Sequence, residues 1–238
     1  MTLKNKSIII TGASKGIGRA LAVMLAKSGA LVSLAARSEK ELQDVKKEIE
    51  AHGGQVLIFV GDVAEEHFAE HVIAETVTQF GALYAVVNNA GFGVFGKTES
   101  IAANDWDAVM NTNVKGTFLF SQKAIPFMRQ NGEGHIVNIA SDVAKRVFDG
   151  GALYCASKYA QDAFSMALRK EVRKDGIKVS VVYSGLVDTH FHAHPQGAEK
   201  ANNYLKDTDM ADVIKYILSA PKHVVIDELM IHPMSQDY

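Results

Sequence analysis

Thr11-Gly12-Ala13-Ser14-Lys15-Gly16-Ile17-Gly18 is the stretch that decides the fold, because it joins a buried strand to a helix through a glycine-rich turn. The unbroken apolar run before it, residues 7–10, predicts a strand covered on both faces. The residues after it predict a helix that ends near Ser28. Glycines in such a turn let the backbone approach a pyrophosphate, and the helix N-terminus offers free N–H groups. The spacing is GxxxGxG rather than GxGxxG, so a purely structural turn is the alternative.

Strand-like and helix-like segments alternate along the rest of the chain. Apolar runs predict further strands over residues 31–36, 55–60, 83–87, 134–140, 178–183 and 223–231. The segments between them predict helices over residues 38–51, 65–80, 104–130, 154–174 and 209–220. Because strands separated by helices pair in parallel through right-handed crossovers, the pattern predicts a doubly wound α/β sheet flanked by helices. The length of 238 residues suits a single domain.

Composition excludes several classes of protein. Lys and Arg total 25 and Asp and Glu total 27, which gives a formal net charge of −2. Without a basic block, neither nucleic acid nor an anionic membrane is expected as a partner. No apolar run approaches the roughly 18 residues of a membrane span, and the N-terminus has no apolar signal-peptide core. Cys155, the single cysteine, cannot form an internal disulfide, which fits a cytoplasmic protein.

The end of the second predicted strand bears on the choice of cofactor. A site for NAD usually places an acidic residue here to bind the adenosine ribose, whereas an arginine accommodates the 2′-phosphate of NADP. This strand ends at Ala36 and is followed by Arg37, with no acid at that point. Lys15 in the glycine turn is a second candidate cation. The sequence therefore favours NADPH; the alternative is that Arg37 is only a solvated residue at the start of a helix.

The ends of two further strands carry polar residues. Asp62 follows the third strand and forms a capping-box pattern with Glu65, as Ser38 does with Glu41. Asp62 is also a candidate to contact the adenine amino group, and the two roles are compatible. Asn88-Asn89-Ala90-Gly91 follows the fourth strand, at the edge where open α/β sheets bind ligands. As bare sequence, this stretch is also an ordinary turn.

Tyr154-Cys155-Ala156-Ser157-Lys158 is the main candidate for catalysis. Residues four apart share one face of a helix, so the Tyr154 hydroxyl and the Lys158 ammonium can approach the same small volume. A phenol has a pKa of about 10, and a cation about 4 Å away, at an effective dielectric constant near 20, favours phenolate by roughly 4 kcal/mol, or about three pKa units. Lys158 is therefore predicted to lower the pKa of Tyr154, and Ser141 to donate a hydrogen bond to a substrate oxygen. The alternative is a chance pairing of tyrosine and lysine on one helix.

Asn113 lies inside a long predicted helix, close to Gly116. Asn and Gly are poor residues in a helix interior and together cost more than about 1 kcal/mol against alanine. Two such residues in one turn indicate a local distortion of the helix. A solvent-facing Asn113 is the alternative.

Taken together, these motifs resemble the short-chain dehydrogenase/reductase family. The resemblance rests on residues 11–18, 88–91, Asn113, Ser141 and 154–158, which occur in the family's order and spacing over essentially the whole chain. It implies a single-domain Rossmann fold with a seven-stranded parallel sheet, a nicotinamide cofactor and the catalytic residues Asn113, Ser141, Tyr154 and Lys158. In the family, the serine orients the substrate carbonyl and the tyrosine exchanges the proton. The lysine lowers the tyrosine pKa and holds the nicotinamide ribose, and the asparagine positions a water linked to the lysine.

The glycine turn, the strand ends and the resemblance together mark the residues expected to contact NADPH. These are Gly12, Ser14, Lys15, Gly16, Ile17, Gly18, Arg37, Asp62, Val63, Asn89, Ala90, Gly91, Tyr154, Lys158, Val187 and Thr189. On this division, residues of about 1–140 form the dinucleotide-binding part, and residues of about 141–238 form the catalytic and substrate part. Family members commonly form homotetramers through their two long helices, so a homotetramer or homodimer is expected.

Two features depart from the family pattern. Ser184-Gly185 stands where the family usually has Pro-Gly after the sixth strand, which predicts a less rigid loop on the nicotinamide side. The C-terminal residues 227–234 lack the glycine-rich ending of 3-oxoacyl-[acyl-carrier-protein] reductases and are more similar to carbonyl reductases of the sepiapterin type or short hydroxy-acid members. Length and core motifs still resemble 3-oxoacyl reductases, so these substrate types stay open.

The segment after the sixth strand is expected to shape the substrate side. His190, His192 and His194 alternate, but a solvated loop is favoured over a metal site, and no metal is expected. Residues 197–204 predict a mobile lid. The residues expected to line an apolar substrate cleft, together with residues 186–204, are Phe92, Phe95, Val143 and Phe148.

The sequence therefore predicts an NADPH-dependent oxidoreductase that reduces a ketone or aldehyde of small or medium size, with Tyr154 as the proton donor. Two alternatives stay open. One is an NAD-dependent dehydrogenase acting on an alcohol or hydroxy acid, and the other is a cofactor-binding regulator that has lost catalysis. The expected partner is a small-molecule carbonyl substrate.

Overall fold

The structure of the protein, a computed structural model, describes residues 2–191 and 195–237. Its strands are β1 (Ser7–Thr11), β2 (Leu31–Ala36), β3 (Gln55–Val60), β4 (Ala85–Asn88), β5 (Gly134–Ile139), β6 (Ile177–Ser184), β7 (Val187–Asp188), β8 (Leu205–Lys206) and β9 (Glu228–Ile231). Its helices are α1 (Gly16–Lys27), α2 (Glu39–Ala51), α3 (Glu66–Phe80), α4 (Ala103–Met110), α5 (Gly116–Asn131), α6 (Ala152–Val172) and α7 (Asp207–Leu218). None of these helices combines the length and the apolar character needed to cross a bilayer.

A seven-stranded parallel sheet lies at the centre of the described chain, in the order β3-β2-β1-β4-β5-β6-β9. β1 pairs with β2 on one side and with β4 on the other, so Ile10 lies beside both Leu34 and Val87. The chain changes its direction of winding between these two pairs, and open α/β sheets bind ligands beyond the carboxyl ends of strands at such a point. The predicted single-domain, doubly wound Rossmann fold is confirmed.

The two faces of the sheet are both covered by helices, and β1 shows why. Successive side chains of a strand point to opposite faces. Ile8 and Ile10 pack with residues of α1, α2 and α7, whereas Ile9 packs with residues of α3, α5 and α6. All three isoleucines are 0% exposed. Full burial of one such side chain contributes about 1.5–3 kcal/mol, so this strand holds the glycine turn that follows it firmly in place.

The helix that carries Asn113 is distorted, as predicted. Between α4 and α5, residues Asn111–Lys115 form a π-helical turn. Gly116 follows this turn, and a Cβ there would lie 2.8 Å from Val63 Cγ2. The glycine therefore lets the distorted turn approach the segment that follows β3. Such π-helical turns occur frequently at functional sites.

The two predicted capping boxes do not form. Ser38 precedes α2, but its side chain makes no capping hydrogen bond to the described helix. Helix α3 begins at Glu66, one residue later than predicted, and Asp62 does not cap it. Instead, Asp62 Oδ1 accepts a hydrogen bond from Ala64 N at 2.9 Å. A short acidic side chain that binds the backbone two residues on stabilises a turn, and this turn delays the helix.

The last predicted strand is too long at its start. Residues 223–226 stay outside the sheet, because Val224 N donates to Pro221 O at 2.9 Å and closes a turn there, and Asp227 O is the first to accept from β6, from Val181 N at 3.0 Å. β9 begins at Glu228 and pairs with the second half of β6. A small parallel pair, β7 with β8, was not predicted and connects the segment after β6 to the start of α7.

Candidate active site

The glycine-rich turn between β1 and α1 brings backbone segments unusually close together. Gly12 and Gly16 have φ angles of 64° and 54°, in the left-handed region that favours glycine. A Cβ on Gly12 would lie 2.8 Å from Ala90 Cα, and one on Gly18 would lie 2.4 Å from Gly12 O. Helix α1 begins directly behind the turn, and a helix N-terminus has N–H groups without intrahelical partners. These features fit the close approach of a dinucleotide pyrophosphate.

Asn89 ties this turn to the end of β4. Its backbone N–H donates to Thr11 Oγ1 at 3.0 Å, and its side-chain amide donates to Thr11 O at 3.0 Å and to Gly12 O at 3.2 Å. The neighbouring Asn88 is buried and donates to Asn138 Oδ1 at 2.8 Å. The Asn-Asn-Ala-Gly stretch is therefore a joint between the ends of three strands, and more than an ordinary turn.

A cleft of about 900 Å³ follows the carboxyl ends of the strands. This volume lies at the upper end of the range for small-molecule sites, about 300–1,000 Å³. Of the residues predicted to contact the cofactor, those that line the cleft are Gly12, Ser14, Lys15, Gly16, Ile17, Arg37, Asp62, Val63, Asn89, Ala90, Gly91, Tyr154, Lys158, Val187 and Thr189. Gly18 lies behind the turn, against Gly12.

Two exposed cations stand where β2 ends. Arg37 and Lys15 both line the cleft, and both are solvent-exposed. The acidic Glu41, in the first turn of α2, and Asp62, which follows β3, line the cleft too, so basic and acidic side chains share its surface.

Ser141, Tyr154 and Lys158 meet at one side of the cleft. Ser141 lies two residues beyond the end of β5, and the other two residues lie one turn apart on α6. Lys158 Nζ lies 5.8 Å from the centre of the Tyr154 ring. Three of the four predicted catalytic side chains are therefore brought together, and the tyrosine and lysine share one helix face as predicted.

The predicted direction of the Tyr154 pKa is wrong. Burial raises the pKa of Tyr154 above its ordinary value, a hydrogen bond with Ser141 lowers it in part, and the charge of Asp142 raises it further. Lys158 Nζ donates its hydrogen bonds to Ile139 O at 2.9 Å and to Gln161 Oε1 at 3.0 Å. Burial also lowers the pKa of Lys158 to about 7, so the lysine is only partly charged at neutral pH.

Asn113 stands behind the cleft. Its Oδ1 accepts from Phe92 N at 3.0 Å, and its Nδ2 donates to Phe92 O at 2.9 Å and to Ser157 Oγ at 3.0 Å. The residue is 0% exposed. These bonds fix the loop after β4 against α6, so Asn113 positions the wall of the cleft. The water-holding role that the family resemblance implies stays a prediction.

Three phenylalanines line the cleft on the side of Tyr154, and we call them the aromatic wall: Phe95, Phe148 and Phe191. The ring centres of Phe95 and Phe191 lie 5.5 Å and 5.3 Å from that of Tyr154, and Phe148 lies 5.9 Å from Phe95. The three side chains are 49%, 41% and 37% exposed for Phe95, Phe148 and Phe191. All three line the cleft, as do the predicted Phe92 and Val143. The substrate side of the cleft is therefore apolar and open.

Asp142 and Gln236 are site residues that no local sequence pattern indicates. Gln236 Nε2 donates to Asp142 Oδ2 at 2.8 Å, and its Oε1 accepts from Leu186 N at 2.7 Å. Ser141 Oγ donates to Asp142 Oδ1 at 3.0 Å. The C-terminal tail thus braces the serine loop and the turn at Ser184-Gly185. Asp142 and Gln236 are 94 positions apart in the chain, and only the fold brings them together.

The predicted lid is attached at its start. The buried Asp188 carboxylate accepts from Gly197 N at 2.9 and 3.1 Å and from Lys206 Nζ at 3.3 Å. The mobility of the predicted lid, residues 197–204, stays a prediction. His192 and His194 lie outside the described residues.

Comparison with known proteins adds to this geometry. A family model for short chain dehydrogenase matches residues 6–200. An uncharacterized oxidoreductase of Staphylococcus aureus (strain USA300) is 33% identical over 232 residues, which cover 98% of this chain and 99% of the relative. The alcohol dehydrogenase from the archaeon Thermococcus sibiricus, solved in complex with 5-hydroxy-NADP, has a TM-score of 0.92 at 29% identity, with 98% of both chains covered. A metagenomic short-chain oxidoreductase in complex with NADP has a TM-score of 0.87 at 29% identity, covering 99% of this chain and 100% of that one.

Proposed function

The chain belongs to the short chain dehydrogenase family, and on that premise we propose that it is an NADPH-dependent reductase of ketones or aldehydes. Members of this family are oxidoreductases that use NAD or NADP. A bound nicotinamide supplies the hydride that such a reduction requires. The residues of this chain bind and orient the carbonyl group and deliver the proton to its oxygen.

The observation that carries the proposal is the Tyr154 phenol, buried at the side of the cleft next to Ser141 and Lys158. Because burial raises its pKa, the phenol is protonated at neutral pH. A protonated phenol is an acid, and a carbonyl oxygen that receives a hydride at its carbon needs one. Ser141 Oγ donates to Asp142 Oδ1 at 3.0 Å in this structure, and we propose that it turns to the substrate oxygen when a carbonyl is bound.

The preference for NADPH rests on the cations at the end of β2. Arg37 and Lys15 line the cleft where an NAD-binding site usually places a carboxylate to bind the ribose hydroxyls. A 2′-phosphate on that ribose would meet both cations. The complexes with 5-hydroxy-NADP and NADP among the similar structures support the same choice.

The substrate we propose carries an apolar group next to its carbonyl. The aromatic wall faces the cleft beside Tyr154, and partly exposed rings bind apolar groups by removing their surface from water. A ketone or aldehyde of the carbonyl-reductase type fits this wall directly. A 3-oxoacyl chain fits as well, because its alkyl part is apolar.

The test is reduction of a panel of ketones and aldehydes by the purified protein, followed by the absorbance of NADPH. We expect consumption of NADPH that is faster than consumption of NADH, and tighter binding of NADPH than of NADH. Tyr154→Phe should lower kcat about 10²–10⁴-fold, because it removes the proton donor, while NADPH affinity stays within about twofold. Wild-type rates in Tyr154→Phe would overturn the mechanism. Tight NADPH binding with no turnover on any carbonyl would favour a regulator that has lost catalysis.

A further inference from the structure

Lys158 is a buried cation whose hydrogen-bond partners are neutral oxygens. Its side chain is 4% exposed, and none of the described residues forms an ion pair with it. Its Nζ donates to Ile139 O at 2.9 Å and to Gln161 Oε1 at 3.0 Å. An ammonium group has three donors and no acceptor, so each neutral oxygen that faces it stabilises the charged form. One of these oxygens is backbone, and the other belongs to a side chain that the sequence motifs do not include.

Gln161 is held in one orientation by a second bond. Its side chain is 0% exposed, and its Nε2 donates to Thr117 Oγ1 at 2.9 Å. The Thr117 hydroxyl uses its single proton on Asn113 O at 2.8 Å, so it can only accept from the glutamine. If the Gln161 amide were rotated by 180°, its NH₂ group would face the Lys158 ammonium. Its oxygen would then face the Thr117 hydroxyl, whose proton is already donated to Asn113 O. The network therefore fixes the amide oxygen toward Lys158.

We propose that Gln161 is a positioning residue for the reaction, which keeps Lys158 protonated and held at the edge of the cleft beside Tyr154. Thr117 fixes the amide, and the π-helical turn at Asn113 fixes Thr117. The inference rests on the proposed function, since it assigns Gln161 a part in the same site. It adds a fourth buried polar side chain behind Ser141, Tyr154 and Lys158, on the inner face of α6.

A neutral amide suits this position better than a carboxylate. A carboxylate would pair with the ammonium and cancel its field at the Tyr154 ring, whose centre is 5.8 Å from Nζ. The amide oxygen stabilises the charge without cancelling it. The groups that face Lys158 from the neighbouring elements are the carbonyl of Ile139 on β5 and the amide of Asn113, and Tyr154 is the titratable group on its own helix. None of these carries a formal charge at neutral pH, so the charge of Lys158 depends on burial and on its neutral acceptors.

The test compares three variants of the full chain. Gln161→Met has a similar length and no oxygen, Gln161→Glu keeps the oxygen and adds a charge, and Gln130→Met is the control on an exposed glutamine of α5. The first measurement is the titration of the Lys158 ammonium by NMR of protein labelled with ¹⁵N-lysine, with Lys158→Arg to assign the signal. This measurement needs neither cofactor nor substrate. The second is the pH dependence of kcat/KM for carbonyl reduction with NADPH.

We expect Gln161→Met to move the Lys158 titration down by about one pH unit, because a hydrogen bond to a charged group is lost. The alkaline limb of the rate profile should move down by the same amount, since the lysine loses its charge at lower pH. Gln161→Glu should move both up by at least about one unit, and Gln130→Met should move neither. KM for NADPH should change less than about threefold in Gln161→Met, which separates positioning of the lysine from loss of the cofactor site.

An unchanged Lys158 titration in folded Gln161→Met would overturn the inference, with folding checked by circular dichroism. If Gln161→Met does not fold, the test rests on Gln161→Glu. In that case, a Lys158 titration midpoint that does not rise in Gln161→Glu would overturn the inference. A shift of the lysine titration in a protein that reduces no carbonyl would support the role of Gln161 and would reject the proposed function. Reduction of carbonyls by all variants with one common pH profile would reject the role of Gln161 and keep the proposed function.

Discussion

The two sides of the cleft are built from different parts of the chain. One side, which we call the glycine wall, consists of residues 11–18 and 89–91, and its closest contacts are between backbone atoms. The aromatic wall consists of side chains from three separate loops, each between 37% and 49% exposed. The backbone segments of the glycine wall pack so closely that there is no room for a side chain. The exposed rings of the aromatic wall can be replaced with little strain. The glycine wall is therefore expected to tolerate almost no change, and the aromatic wall to set which substrate enters.

The largest effect should come from adding a single methyl group to the glycine wall. In Gly18→Ala, the new Cβ would lie 2.4 Å from Gly12 O, which is a backbone atom that cannot move aside cheaply. We expect a loss of about 1–3 kcal/mol of folding stability from overpacking and a loss of NADPH affinity of about 100-fold from displacement of the turn. Thermal unfolding and titration calorimetry measure the two effects.

Gly53→Ala is the control for the added methyl group. Gly53 has a positive φ angle, 73°, unlike Gly18, and a Cβ there would meet nothing within 4 Å. This variant should lose about 1 kcal/mol of stability from backbone strain and keep its NADPH affinity. NADPH affinity near wild type in folded Gly18→Ala would show that the glycine wall is not the binding surface.

The glycine wall was predictable from the sequence because its parts are local. A strand, a turn and a helix N-terminus follow one another within residues 7–18, and each glycine meets a neighbour that the Rossmann topology places there. The same locality explains why the distortion of the helix was predicted: two poor helix formers, Asn113 and Gly116, lie in one turn. Local patterns of this kind predict the conformation of the backbone.

The residues of the aromatic wall were expected at the cleft, but the charge state of the site was harder to predict, because it depends on side-chain placement. Sequence spacing puts Tyr154 and Lys158 on one helix face, but it does not say that the ammonium turns to Gln161 and Ile139. Nor does spacing show how deeply Tyr154 is buried, and it was this burial that reversed the expected direction of its pKa. Gln236 was missed for a related reason, since it reaches Asp142 from the far end of the chain.

The next prediction tests whether the glycine wall and the aromatic wall unfold in one cooperative transition. His135 is the second residue of β5 and is 1% exposed, and its Nε2 lies 2.8 Å from Ser180 Oγ. Burial, with a contribution from the charge of Lys178, lowers the pKa of His135 to about 3. Its folded pKa lies below the unfolded value of about 6.5, so the unfolded chain takes up a proton first as the pH falls. Stability from this histidine is complete above about pH 6.5 and is lost below it, by about 2 kcal/mol at pH 5.

His135→Gln is the variant that isolates this effect, because a glutamine amide can reach Ser180 and does not titrate. Urea unfolding at pH 7 and pH 5 should show a smaller loss of stability in the variant than in the wild type, by about 2 kcal/mol. If both walls rest on one sheet, NADPH binding and circular dichroism should be lost at the same urea concentration. Equal acid sensitivity of variant and wild type would contradict the assignment of this loss to His135.

The smallest effect should come from the aromatic wall, and its size depends on the substrate. Phe148 packs over Gly151, and a Cβ on that glycine would lie 2.5 Å from the Phe148 ring. The ring centres of Phe148 and Phe95 are 5.9 Å apart. Phe148→Ala should raise KM about tenfold for a carbonyl substrate that carries a ring, because one apolar contact surface is removed. It should change KM less than about twofold for a short aliphatic aldehyde that does not reach the wall. Val147→Ala, next to it in the same loop and 71% exposed, controls for the loop itself. An equal rise in KM for both substrates would mean that Phe148 supports the shape of the site as the glycines do, and the contrast between the two walls would then be lost.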